Sequence, residues 1–292
     1  MGDVGSNGSP GGAAPPDRGE ARGRRRTPWP LVLLATLFVV VPFLTWYWTW
    51  FGRTLGDEEI EKYLREGKPR QAQHALSQVA DRVAAGDAGA ARWFPSVAAL
   101  ADNPSTDLRM TAAWVMGVEH RSEEFRAALL RLVADPEPIV RRNAALALVR
   151  FGDARCRPEL LAMLRPYAVE APADGTAETV LSAGTPVKRE SLLVRLATAG
   201  GGRVEVRSPV PGRVEKALAA EGASVRKGEP LFLIAPDSEQ ARDALIGLAY
   251  FGEPEDLALV SRYEGGVEHL SDDVKRQAAL TAEAIRRRSQ GK

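Results

Sequence analysis

The apolar positions of this chain change period three times. From Leu31 to Trp50 the stretch LVLLATLFVVVPFLTWYWTW carries no charged side chain. Beyond it apolar residues recur every three or four positions as far as residue 167, which predicts a series of amphipathic helices. From about Val169 to Pro236 the period drops to two, with frequent Gly and Pro, which predicts short strands joined by turns. The helical period then resumes and holds almost to the C-terminus. These shifts divide the chain into residues 1–28, 29–51, 55–167, 168–236 and 237–289. The expected fold class is multidomain, α plus all-β.

The first segment, rich in Gly, Pro, Ser and Asp, has little to bury and is expected to be a disordered cytoplasmic tail. The second is expected to be an N-terminal transmembrane helix, because twenty helical residues at about 1.5 Å each span roughly the 30 Å hydrocarbon core. Pro30 suits a first turn and Pro42 a kink, with Trp29, Trp46, Tyr47, Trp48 and Trp50 placed for aromatic belts. Arg18, Arg22, Arg24, Arg25 and Arg26 precede the span, and Arg53 alone follows closely. That asymmetry predicts an uncleaved single-pass signal anchor in a bacterial inner (cytoplasmic) membrane, with its N-terminus cytoplasmic and the bulk of the chain extracytoplasmic. A cleaved signal peptide would have a shorter apolar core and end in small residues.

The helical segments repeat. ADNPSTDLRMTAAWVMG and ADPEPIVRRNAALALVR align at an offset of 32, Pro104 with Pro136, Arg109 with Arg141, and Ala112-Ala113 with Ala144-Ala145. Arg142, Ala144, Leu148, Phe151 and Gly152 recur as Arg242, Ala244, Leu248, Phe251 and Gly252, and Val274, Lys275, Ala278 and Ala279 carry the signature once more. The proline starts a helix and the alanines let neighbouring helices approach. This D-P-x-x-x-V-R-x-x-A-A-x-A-L pattern resembles the HEAT-repeat family, which implies an α-solenoid. A single repeat cannot bury its apolar face alone, so residues 237–289 are expected to pack on the first helical block, with 168–236 as an insertion.

The insertion repeats internally as well: Gly184, Val187 and Lys188-Arg189 match Gly222, Val225 and Arg226-Lys227 at an offset of 38. Ser208-Pro209-Val210-Pro211-Gly212-Arg213-Val214, with Glu221-Gly222, Val225, Lys227-Gly228 and Pro230-Leu231, resembles the biotinyl/lipoyl domain. That implies a β barrel-sandwich hybrid interrupting the solenoid. In carrier members the modified lysine precedes the turn proline by eight residues; counting back from Pro209 reaches Gly201, in ATAGGGR. No lysine lies between Arg189 and Lys216. The resemblance thus implies the fold without a covalent cofactor. Unmodified domains of this type occur in HlyD-like membrane fusion proteins, which resemble this chain in the N-terminal anchor and the turn. Their long coiled-coil hairpin has no counterpart here.

Composition adds limits. Net charge is +1, with 45% apolar and 26% charged residues, so no global basic surface points to nucleic acid. The single cysteine, Cys156, excludes intrachain disulfides and CxxC metal pairs and reads as a buried apolar residue. His74, His120 and His269 form no metal-binding spacing, and no G-x-S-x-G, P-loop or G-x-G-x-x-G after a strand is present. Glu58-Glu59, Glu123-Glu124 and Asp272-Asp273 fit first helical turns, where the dipole favours carboxylates. Arg141-Arg142 and Arg286-Arg287-Arg288 read as solvated helix faces, and Trp93, Phe94 and Trp114 as solenoid core. The expectation is therefore a non-enzymatic protein with no catalytic, cofactor-binding or metal site. It is read as a membrane-anchored scaffold contacting envelope or transporter proteins, with transport as one context. The alternatives are an HlyD-like periplasmic adaptor of an efflux or secretion pump and, disfavoured by Gly201, a biotin or lipoate carrier. Bilin lyases also contain HEAT-like repeats, a likeness resting on the repeat alone.

Overall fold

The computed structural model describes residues 29–50 and 54–290, which fall into two units, residues 1–54 and 55–292. In the first unit Trp29–Trp50 (α1) is helical, with Pro42 inside it. Its described side chains are those of residues 29, 30 and 32–45. The expected transmembrane helix is corrected here: among the described residues no helix is long and apolar enough to cross a membrane. The single-pass inner-membrane placement and the extracytoplasmic location of the remainder fall with it. The expected disordered tail, its arginines and the side chains from Trp46 to Trp50 lie outside the described residues.

Among the described residues of the second unit ten α-helices form two layers. Asp57–Glu66 (α2), Phe94–Ala99 (α4), Glu123–Leu132 (α6), Arg157–Met163 (α8) and Leu257–Glu264 (α10) alternate along the chain with the other five. Those are Pro69–Ala84 (α3), Thr106–Met116 (α5), Pro138–Arg150 (α7), Ser238–Phe251 (α9) and Asp272–Gln290 (α11). Each of α3, α5, α7, α9 and α11 packs against the next in that order, and α2 on α4 on α6 in the other layer. The repeat signature explains the stacking. Leu108, Val140 and Val274 are fully or almost fully buried, as are Ala112, Ala144, Ala244 and Ala278, which leave room for the adjacent helix. One apolar core runs from Leu55 to Ile285 and joins Leu160, Met163 and Leu164 to Ala244, Leu245 and Leu248.

The arginine of the repeat signature has a structural task. Arg109 Nη1 donates to the carbonyls of Asn103 and Pro104, at 3.0 and 3.1 Å, closing the turn that precedes its own helix. Arg141 Nη1 does the same with Asp135 and Pro136, at 2.8 and 3.0 Å. Each guanidinium then reaches forward. Arg109 holds the Asp135 carboxylate through two bonds of 2.7 and 3.0 Å, and Arg141 meets Glu159 at 3.2 Å. Asp153 plays a related part, accepting from Arg155 at 2.9 and 2.6 Å and from Arg126 at 2.9 Å while itself buried. The hydrogen bonds from Arg155, against the cost of burial, hold its carboxyl well below the usual carboxylate range. A depressed native pKa contributes stability that is present above the unfolded value, about 3.9, and is lost as pH falls below it. Urea unfolding between pH 7 and pH 3 is therefore expected to show stability falling from about pH 4 downward, and falling less in Asp153→Asn.

Between α8 and α9 the chain leaves the helices and returns at one point. Tyr167–Glu170 (β1) pairs antiparallel with Pro230–Ala235 (β8), Tyr167 opposite Ile234, so entry and exit are adjacent. The helices on either side still pack on each other. Arg157 binds Asp256 through 2.8 and 2.9 Å bonds across the insertion, and the buried Tyr263 hydroxyl donates to the Leu164 carbonyl at 2.5 Å. The strands form two four-stranded sheets. One runs β1, β8, Gly212–Ala217 (β6) and Pro186–Val187 (β3); the other runs Arg203–Arg207 (β5), Leu192–Ala197 (β4), Gly175–Val180 (β2) and Ser224–Val225 (β7). The internal repeat is visible in them, with Val187 and Val225 buried at matching edges and β4 matching β8 at the same offset. Residues of both sheets share one apolar core. The expected barrel-sandwich hybrid is corrected: among the described residues the end strands of each sheet have no partner beyond them, so no barrel closes.

Candidate functional site

The residue two places beyond Ala112, Ala144, Ala244 and Ala278 is Trp114, Leu146, Ile246 and Leu280. Four repeats thus place a large apolar side chain at one helical position, and none of the four is buried. Trp114 is 55% and Leu280 59% exposed, with Leu146 and Ile246 half-buried between them. At about 100° per residue, Trp114 falls opposite the arc of Leu108, Ala112, Ala113, Val115 and Met116, which α5 buries. The same turn of the wheel brings Leu146 and Ile246 outward on α7 and α9.

Trp114, Leu146 and Ile246 line an open groove of about 750 Å³ along α5, α7 and α9, while Leu280 holds the same register on α11 outside it. Tyr250, 66% exposed, stands on its α9 side. The groove is floored by small residues because the helices nearly touch. A Cβ on Gly117 would lie 2.9 Å from that of Ala147, and one on Gly247 would lie 2.6 Å from Leu160 Cδ1 and 3.0 Å from Val149 Cγ2. Leu160 is itself fully buried. Gly247→Val is accordingly expected to lower the unfolding free energy by about 2–3 kcal/mol through overpacking, as read by urea unfolding.

Asn143, Arg150, Glu239 and Asp243 supply the groove's polar side chains. Arg150 Nη1 donates to the Gly117 carbonyl at 3.3 Å, and Asn143 Nδ2 to the Ile139 carbonyl at 2.9 Å. Glu239 and Asp243 lie one turn apart on α9. Asp243 is half-buried; burial pushes its carboxyl up, Arg242 at 3.6 Å counters, and Asp237 adds to the rise.

The residues singled out in the sequence lie elsewhere. Gly201 occupies the turn between β4 and β5 with φ +76°, its amide bound to the Thr198 carbonyl at 2.9 Å. Nothing lies within 4 Å of the Cβ it lacks, so the tip is open and carries no amine. Cys156 is buried, and burial pushes its thiol up to about 12. His74 contacts Gln78, and His269 the Pro236 carbonyl. Among the described residues no group of three or more His, Cys, Asp or Glu is placed to hold a metal. The acidic pairs open α2, α6 and α11.

Three side chains differ from their sequence reading. Trp114 lies at the surface, whereas Trp93 is buried under the guanidinium groups of Arg82 and Arg92, 4.9 and 5.4 Å from its ring centroid. Arg141 is half-buried in the ion pair already described. Arg142 is only 5% exposed and bonds to Gln240, whose Nε2 donates to the Pro211 carbonyl at 2.7 Å. Burial pulls the Arg142 guanidinium down to about 10. Gln240 stands where the other repeats have Leu108, Val140 and Val274, so a polar residue replaces an apolar one where the sheets meet the helices. Arg189 reaches Asp107 of α5 from the same side.

Residues 95–183 match the family of HEAT repeats. No curated protein matches the chain. Among solved structures, the complex of CpcE and CpcF of phycocyanin lyase from Nostoc sp. PCC7120 is similar at 14% identity and a TM-score of 0.45, over 81% of this chain and 67% of that one. A single-chain, multi-domain long-chain acyl-CoA carboxylase is similar at 23% identity and a TM-score of 0.24, over 35% of this chain and 10% of that one. This chain spans about a tenth of the carboxylase. Both TM-scores lie below 0.5, and neither likeness bears on the groove.

Proposed function

We propose that this chain of HEAT repeats is a non-enzymatic scaffold whose groove along α5, α7 and α9 holds a segment of a partner polypeptide. The observation that carries the reading is the ladder of Trp114, Leu146 and Ile246, large apolar side chains that share one repeat register, escape full burial and line the groove together, with Leu280 exposed at the same register on α11. Single exposed apolar residues are ordinary, but a contiguous row of them is the mark of a contact surface. An open groove that sets apolar residues beside Asn143, Arg150, Glu239 and Asp243 suits the side chains of a polypeptide better than the enclosed chemistry of a small substrate. The inserted sheets, similar in their turns to the biotinyl/lipoyl domain, serve in this reading as a contact module without covalent cargo, since Gly201 offers no amine. The intact mass of the purified protein is expected to equal that of the bare sequence; an added biotinyl or lipoyl mass would replace this reading with that of a carrier.

A photo-crosslinking amino acid at position 146 tests the groove, with position 131 on α6, in the other helix layer, as control. The expected result is a discrete crosslinked partner from position 146 and none from 131. Equal labelling from both, or none from 146, counts against the proposal.

A further inference from the structure

Resting on that reading of the groove, we infer that its occupant is a basic amphipathic segment of another polypeptide: apolar side chains lie along the ladder, and a lysine or arginine sits against Glu239 and Asp243. The groove's own charge points there. Glu239 and Asp243 are one turn apart on the face of α9 that lines it. Glu239 is exposed and has no ion-pair partner among the described residues. Asp243 has only the Arg242 guanidinium, at 3.6 Å, and burial raises its carboxyl despite that neighbour. A closer cation would relieve that burial cost by favouring the charged form. The one basic residue lining the groove, Arg150, already donates to the Gly117 carbonyl.

The aromatic residues reinforce the same choice. Trp114 and Tyr250 both line the groove, and both are more than half exposed. The face of an indole or phenol ring attracts a lysine ammonium or arginine guanidinium, with Trp the stronger partner. An acidic segment would instead face Glu239 and Asp243 while Arg150 is held by the Gly117 carbonyl and Arg242 already pairs with Asp243, an arrangement that disfavours the wrong partner. The apolar ladder supplies contact area and the carboxylates supply selection, which is the usual division between the centre and rim of an interface.

The test uses the full-length protein and three labelled synthetic peptides of equal length, followed by fluorescence anisotropy. One places leucine and lysine at helical spacing, the second replaces each lysine by glutamate, and the third replaces each leucine by serine. The leucine-lysine peptide is expected to bind at least about tenfold more tightly than either other, equivalent to about 1.4 kcal/mol. Trp114→Ala is expected to weaken it about tenfold, and the double variant Glu239→Gln with Asp243→Asn by a similar factor, with unchanged melting temperature in the double variant. If the leucine-lysine and leucine-glutamate peptides bind equally and both depend on Trp114, the groove stands and the charge inference is overturned. If the serine-lysine peptide binds as tightly as the leucine-lysine peptide, attraction is unspecific and the inference is likewise overturned. If no peptide's binding depends on Trp114, the groove reading itself fails.

Discussion

Asp135→Ala lowers the unfolding free energy of the helical unit by about 3 kcal/mol, the expected cost of removing one partner from a largely buried ion pair. The Asp135 carboxylate accepts both bonds from Arg109 and a third, at 2.9 Å, from the Glu137 amide. Burial pushes its carboxyl up, yet the bonds from Arg109 and Glu137 outweigh it and leave the group below its ordinary value. Without the carboxylate, the Arg109 guanidinium, with only 12% of its side chain exposed, keeps its turn carbonyls and loses its counter-charge. In a unit of this size the melting temperature is expected to drop by roughly 6–12 °C. Asp135→Asn retains an acceptor without the charge and is expected to cost less. A loss below about 0.5 kcal/mol for the alanine variant, measured by urea unfolding, would show that the ladder between repeats is decoration.

The second large effect is on binding. Leu146 lies midway along the exposed row, flanked by Trp114 on α5 and Ile246 on α9. Leu146→Asp places a carboxylate in the centre of the apolar strip, where a contact surface is least tolerant of an unpaired charge. Affinity for the partner is expected to fall on the order of 100-fold, equivalent to about 2.7 kcal/mol. The free protein should melt within a few degrees of the parent, because the side chain is half in solvent before the change. A quantitative pull-down with the crosslinked partner, beside circular dichroism of the free protein, separates the two. Undiminished binding by a folded variant would remove Leu146 from the interface.

Much of the helical part is written in the repeat signature. Pro104 and Pro136, Arg109 and Arg141, and the alanine pairs each have a short-range reason, a turn, a clamp or a close approach, so local pattern suffices to read them. The positions that escaped are those whose environment comes from distant chain. Arg142 looks like a surface residue of α7 until Tyr167 at the start of the inserted sheets and Gln240, about one hundred residues later, cover it. Trp114 looks like core because tryptophan is apolar; only its angle relative to the buried arc of α5, repeated at Leu146, Ile246 and Leu280, turns it outward. The apolar run from Leu31 to Trp50 shows the reverse limit. Hydropathy alone suggested a span, whereas among the described residues no helix meets the length and apolarity of one. Turn glycines and the internal repeat identified two matching β halves, but strand pairing decides closure, and the end strands remain unpaired.

The groove itself was invisible to periodicity, because it arises where α9 returns beside α7 after the insertion. Its signal is the register shared by Ala112, Ala144, Ala244 and Ala278, read two residues further on. That shared register is the central claim, and amide hydrogen exchange of the full-length protein with and without its crosslinked partner tests it most directly. Binding should slow exchange together in the segments around Trp114, Leu146 and Ile246, and leave α4, α6 and the β4–β5 turn unchanged. Slowed exchange confined to the inserted sheets, or spread over the other helix layer, would contradict it.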